Sequence, residues 1–184
     1  EVSFQGRTPA PDDTIVLGMV DLENNDKWIP FGRTRAWSWQ QGCMLQWVPG
    51  SDSEVIYNDR EGDDFVAYIQ DVFTGEKRKL PRAIYSVSPD GAYAVGTDFA
   101  RIDDTRPGYG YKGGVDPGAG ELIPESGGIY AIDLETGACE DIVTYAQIAA
   151  IPQQIETKGR HWFNHLLCNT DGSRFIFLHR AYRE

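Results

Sequence analysis

The residues best suited to chemistry are the three histidines, and all of them fall in one stretch near the C-terminus, HWFNHLLCNTDGSRFIFLHR, residues 161–180. An imidazole changes charge near neutral pH and is a common metal ligand. Two that meet in space can therefore hold a metal or pass a proton. The stretch reads as a β-hairpin: residues 166–168 and 175–178 are apolar runs, and Asn169-Thr170-Asp171-Gly172 between them is a turn. His165 then sits just before the first strand and His179 at the end of the second, which predicts that these two rings are near neighbours at one sheet edge. In the structural alternative one ring caps a strand and the other is solvated.

The elements that position these residues are repeats of the same plan. Ser88-Pro89-Asp90-Gly91 and Val48-Pro49-Gly50-Ser51-Asp52 are turns between short apolar strands, and the strands that follow end at Asp59, Asp98 and His179, equivalent positions in three copies. A second repeated element is a strand ending in Asp before a Thr-Gly turn, at Asp71 and again at Asp133, with a weaker version at Asp21. Four short strands per unit at a period of about 40 residues is the pattern of a β-propeller. The reading is all-β: residues 1–184 as one propeller domain or propeller fragment, a partial ring of about four blades of four-stranded antiparallel sheet. The units fall at 15–31, 44–80, 84–143 and 166–180.

Two excursions break the repeat. Residues 100–127 carry seven glycines and three prolines around Arg106-Pro107-Gly108-Tyr109-Gly110-Tyr111, and tyrosines and arginine among glycines favour a binding loop over a tether. Residues 144–159 include Tyr145-Ala146-Gln147-Ile148-Ala149-Ala150, a candidate for a short helix. Trp37-Ser38-Trp39-Gln40-Gln41 stands in its unit where Trp162-Phe163-Asn164-His165 stands in the last, so Gln40, Gln41, Asn164 and His165 are expected to converge on one face. The tryptophans serve equally well as packing between blades.

A net charge of −11 without a basic stripe argues against nucleic acid, and no apolar run is long enough to span a membrane. The odd cysteine count, Cys43, Cys139 and Cys168, gives neither a zinc ribbon nor a disulfide framework. The abrupt start at Glu1-Val2-Ser3 shows no signal peptide and suggests a missing upstream segment; a periplasmic or extracellular location stays open. Open sheet edges at both ends predict self-association, or a further chain that completes the ring.

The Pro-Asp-Gly hairpins, the Asp-Leu-x-Thr-Gly strands and the terminal hairpin resemble the TolB-like propeller superfamily. More narrowly, FARIDDTRPGYGY (99–111) and HWFNHLL…FLHR resemble the oligogalacturonate lyase-like propeller proteins of polysaccharide-degrading bacteria. The resemblance implies a divalent metal, manganese, and cleavage of short uronate oligomers by β-elimination. The chain departs from the family in having fewer blades and no match to a downstream histidine cluster. Such an elimination needs the uronate carboxylate neutralised and a base to take the neighbouring proton. On this resemblance Arg101 or Arg106 meets the carboxylate, His165 is the base, and His179 is a metal ligand with Gln40 or Gln41 beside it. Arg106, Tyr109, Tyr111, Gln40, Gln41, Asn164, His161 and Trp39 contact the acidic oligosaccharide. The competing readings are a non-catalytic carbohydrate-binding propeller and a scaffold for protein partners.

Overall fold

The computed structural model describes residues 7–152 and 157–182. Its elements in chain order are β1 (Ile15–Asp21), β2 (Lys27–Thr34), β3 (Gln46–Trp47), β4 (Glu54–Glu61), β5 (Asp64–Asp71), β6 (Lys77–Leu80), β7 (Ser86–Val87), β8 (Tyr93–Thr97), α1 (Phe99–Thr105), β9 (Gly128–Asp133), β10 (Cys139–Thr144), α2 (Tyr145–Ala149), β11 (His161–Cys168) and β12 (Phe175–Ala181). Strand accounts for 42% of the residues and helix for 7%, so the protein is all-β as expected. Two antiparallel sheets of four strands, β3-β4-β5-β6 and β7-β8-β9-β10, are flanked by two-stranded sheets, β1-β2 and β11-β12. None of the four closes on itself.

Local chemistry explains the turns. Asp71 Oδ1 accepts the backbone N–H groups of Phe73 and Thr74, and Asp133 Oδ1 those of Glu135 and Thr136. Gly75 and Gly137 close these turns at φ 79° and 76°, in the left-handed region where glycine carries no Cβ penalty. A hydrogen bond from the Ser53 side chain, joined by the backbone donors of Thr74 and Phe73, holds the Asp71 carboxyl down at about 2. The other turn type is fixed by Ser88, whose N–H bonds Tyr93 O, and equally by Asn169 on Arg174 O and Val48 on Glu54 O.

The sheets pack face to face in chain order. Ile56, Ile69 and Leu80 meet Ile84, Ala94, Tyr130 and Ile132 between the four-stranded sheets. Phe99, Ile102, Tyr111 and Ile129 meet Trp162, Phe163 and Leu166 on the far side. Leu17, Trp37, Val55, Tyr57 and Val66 fill the near side. Each fully buried isoleucine or leucine contributes about 1.5–3 kcal/mol. The close approach of chains is visible at Gly96, where a Cβ would lie 2.3 Å from Ala83 O.

One expectation changes here and one holds. The excursion at 100–127 opens with a helix, α1, because Asp98 accepts from the N–H groups of Ala100 and Arg101 and caps it. The second excursion forms α2 with a capping box between Thr144 and Gln147, as its sequence suggested; positions 153–156 lie outside the described residues.

Candidate functional site

The terminal hairpin is longer than its apolar runs, and this re-sorts the histidines. His161 lies at the start of β11 and pairs with Ala181; Phe163 pairs with His179. The ring that meets His179 is therefore that of His161, with Nε2 of His179 2.9 Å from Nδ1 of His161. His165, expected beside His179, sits inside β11 at a bulge between Asn164 and Leu167, at φ 55° and exposed to solvent. One extra residue in β11 sets Phe163 opposite His179, which puts His161, two residues earlier, on the face of His179 and leaves His165 at the bend. Met44 stands at the same distance before its own turn as His165 does before Asn169 and has nearly the same φ, 56°. The bend thus recurs in two of the three hairpins, Ile84 before Ser88 lacking it, and the imidazole is particular to the last.

The surroundings of the His161–His179 pair disfavour the charged form of each ring. Burial pushes the His161 ring below its ordinary value, helped by the charges of His179 and Arg101, and burial does the same to His179. A neutral pair matches the short contact, which needs one ring nitrogen bearing hydrogen and the other bare. Thr157 Oγ1 lies 3.3 Å from His161 Nε2.

Arg101 does not face a ligand. It is fully buried, and its guanidinium forms an internal bracket. Nε donates to His161 O at 2.6 Å, one terminal nitrogen to Asp116 and Gly118 O, the other to Glu121 O and Leu122 O. Asp116 also pairs with Arg160 at 2.6 Å. Arg101 thus ties the excursion to β11 and acts on any ligand through position alone. Tyr111 is likewise interior: it stacks on Phe99 at 4.1 Å, and its hydroxyl accepts from Asn58 Nδ2. It therefore does not flank a ligand as expected; Tyr109 is half-buried, with the Arg106 guanidinium 3.9 Å over its ring.

The side chains that do converge surround the hydroxyl of Tyr85. Gln41 Nε2 and the backbone N–H of His165 both donate to it, the latter at 2.8 Å. Next along β11, the buried Asn164 accepts from Arg180 Nε at 3.0 Å, on the hairpin face opposite the histidine pair. Gln40 N–H reaches Gly108 O at 3.4 Å, so the Arg106–Tyr109 tip borders the same turn. Trp39 lies half exposed, edge-on to Trp37. Gln41 Oε1 and Asn164 Nδ2 are buried without a hydrogen-bond partner, a cost of about 1–3 kcal/mol each unless something supplies the bond.

Of the four residues expected together, Gln41 and the backbone of His165 meet at Tyr85 with Asn164 beside them, while the Gln40 backbone meets Gly108. Tyr85 and Arg180 were not among those expected. Arg180 carried a signal, since it follows His179 and must share the strand end on the opposite face. Tyr85 carried none.

No protein-family profile and no curated protein matches this chain.

The residues named for a metal do not compose a site for one. Among the described residues no group of three or more His, Cys, Asp or Glu side chains is placed to hold an ion. The facing nitrogens of His161 and His179 are engaged with each other, and the Gln41 amide is held at Tyr85, not at the histidine pair.

Proposed function

We propose that the chain forms consecutive blades of a β-propeller whose loop face binds an acidic saccharide of the uronate class, with β-elimination as its reaction. The cluster at Tyr85 carries this reading. Gln41 and the backbone of His165, whose imidazole is exposed, meet at one hydroxyl; Asn164 and the Arg180 guanidinium are paired next along β11, and the Arg106–Tyr109 tip borders Gln40. A planar guanidinium matches a carboxylate in two parallel hydrogen bonds, and neutralising that carboxylate acidifies the adjacent C–H. His165 takes the proton, the C–H electron pair becomes the new C=C, and the glycosidic oxygen on the next carbon leaves with its bonding pair. Distant surface charge does not oppose an anionic ligand, because charges beyond about 10 Å are screened at ordinary salt.

The burial of Arg101 favours a second reading, recognition without turnover, since it removes one of the two arginines offered for the chemistry. Titration calorimetry with a short uronate oligomer, together with the ultraviolet absorbance of an unsaturated product, separates the two. Binding with product that His165→Ala abolishes is the expected result. Binding without product leaves the saccharide-binding module. Undiminished binding by Arg180→Ala, or no binding by the native chain, overturns the assignment.

A further inference from the structure

A second recess lies between the excursion at 100–127 and strands β8, β9 and β10. It consists of two cavities, of about 140 and 240 Å³, that share Arg82, Asp98 and Pro117 in their walls. None of Gln41, Tyr85, Asn164, His165 or Arg180 borders either. The outer wall is held in place. Arg101 fixes Asp116, Gly118 and Glu121, and a Cβ on Gly118 would lie 2.6 Å from Pro124, so the segment folds tightly on itself. A preformed wall spares a ligand the cost of ordering it.

The charge balance of this recess is acidic. Among the described residues of the lining Arg82 is the one cation, and it is committed: it pairs with Asp141 at 2.9 Å and lies 3.4 Å over the Tyr130 ring. Asp116 is met by Arg101 and Arg160. Asp98 has no such partner. Among the described residues it forms no ion pair, and the N–H groups of Ala100 and Arg101 both fall on Oδ1, which leaves Oδ2 to meet a ligand. Asp63, Asp64 and Glu121 stand exposed around the openings, and the net charge of −11 draws cations toward them.

An independent observation marks the larger cavity. Tyr145 lines it and is 2% exposed, yet its hydroxyl has no hydrogen-bond partner. Its ring is fixed by stacking on Phe163 at 4.6 Å, and the neighbouring Thr97 hydroxyl spends its hydrogen on Gly128 O. Burial, and after it the charge of Asp98, push the Tyr145 hydroxyl above its ordinary range, so the two groups share one electrostatic neighbourhood. A buried hydroxyl left unpaired is rare in a native fold.

We propose that this recess binds a small organic ammonium, its N–H groups shared between Asp98 Oδ2 and the Tyr145 hydroxyl and its carbon chain against Pro117 and Pro124. An ammonium has donors and no acceptor, which suits a carboxylate beside a hydroxyl. A guanidinium fits worse, because its planar fork seeks both oxygens of a carboxylate and Asp98 offers one. A divalent metal lacks ligands here. Calcium takes about six to eight oxygens, and among the described residues no group of three or more His, Cys, Asp or Glu side chains is placed to hold an ion.

The probe is n-propylammonium, titrated into the full chain and followed by amide NMR. Saturable shifts are expected at the Ala100 and Arg101 N–H groups, with half-saturation at or below about 10 mM. n-Propanol, the neutral counterpart, should produce none. Asp98→Asn keeps the α1 cap and should weaken binding at least about tenfold, and Tyr145→Phe should weaken it about fivefold, both with the native dispersion of amide signals. A native chain without saturable shifts, undiminished binding by Asp98→Asn, or an equal response to n-propanol overturns the proposal. So do shifts at these amides that magnesium produces and n-propylammonium does not.

Discussion

Arg101 separates a structural role from a ligand-binding one, and replacing it with methionine should show which it has. The side chain makes five hydrogen bonds, four to backbone oxygens and one to Asp116, from a fully buried position. Breaking a buried ion pair by removing one partner costs about 3–5 kcal/mol. Two compensations argue for the lower end. Asp116 keeps Arg160, and Leu122 O also accepts the His161 N–H. About 3 kcal/mol in a chain of this length lowers the melting midpoint by about 6–12 °C. Arg101→Lys should recover little of that, since a single ammonium cannot span the donors of a planar fork. The assay is a thermal melt followed by near-ultraviolet circular dichroism, with uronate binding measured well below the midpoint. An Arg101→Met protein that melts as the native chain does but has lost uronate binding would refute the reasoning and make Arg101 a ligand contact.

Burial pushes the Asp98 carboxyl up to about 6, against the lowering effect of its helix-capping bonds. A raised carboxyl stabilises the fold below its unfolded value near 4, and the contribution is lost as pH rises through about 6. Asp98→Asn keeps the cap, so urea titrations should find it more stable than the native chain by about 2 kcal/mol at pH 7.5 and equal to it near pH 4. Tyr85→Phe removes the hydroxyl shared by Gln41 and His165; it should cost about 1–2 kcal/mol by denaturant titration and weaken uronate binding by more than the stability loss explains.

Much of the fold was legible because its signals are local. The turn at Asp133-Leu134-Glu135-Thr136-Gly137 is written in the residues that make its hydrogen bonds, whereas Asp59, Asp98 and His179, read as three equivalent strand ends, differ: Asp59 and His179 lie inside β4 and β12, and Asp98 follows β8 as the cap of α1. The helix α1 was hidden because it is seven residues long inside a glycine-rich segment, with a cap in the preceding strand end as its main signal. The site was legible by position but not by orientation. Gln41, Asn164 and His165 were placed together from their place in the repeat. The bulge after Asn164 then decided which imidazole meets His179, and no residue type announces a bulge. The partner of Arg101 was invisible for a different reason. Asp103 and Asp104 are close in sequence, but α1 turns the guanidinium toward Asp116, while Asp103 pairs with Lys112.

The Arg101 bracket also bears on how the excursion moves. A segment with this content of glycine and proline would ordinarily be cut by proteases and exchange its amide hydrogens within seconds. Here Gly118, Glu121 and Leu122 are anchored through one guanidinium to the carbonyl of His161, and Leu122 O is bonded in turn by the His161 N–H. The glycines let the backbone wrap closely around a charge, a use of glycine that produces stiffness. The wall beside the histidine pair should behave as a fixed rim, resistant to trypsin at Arg101 and slow in exchange at His161.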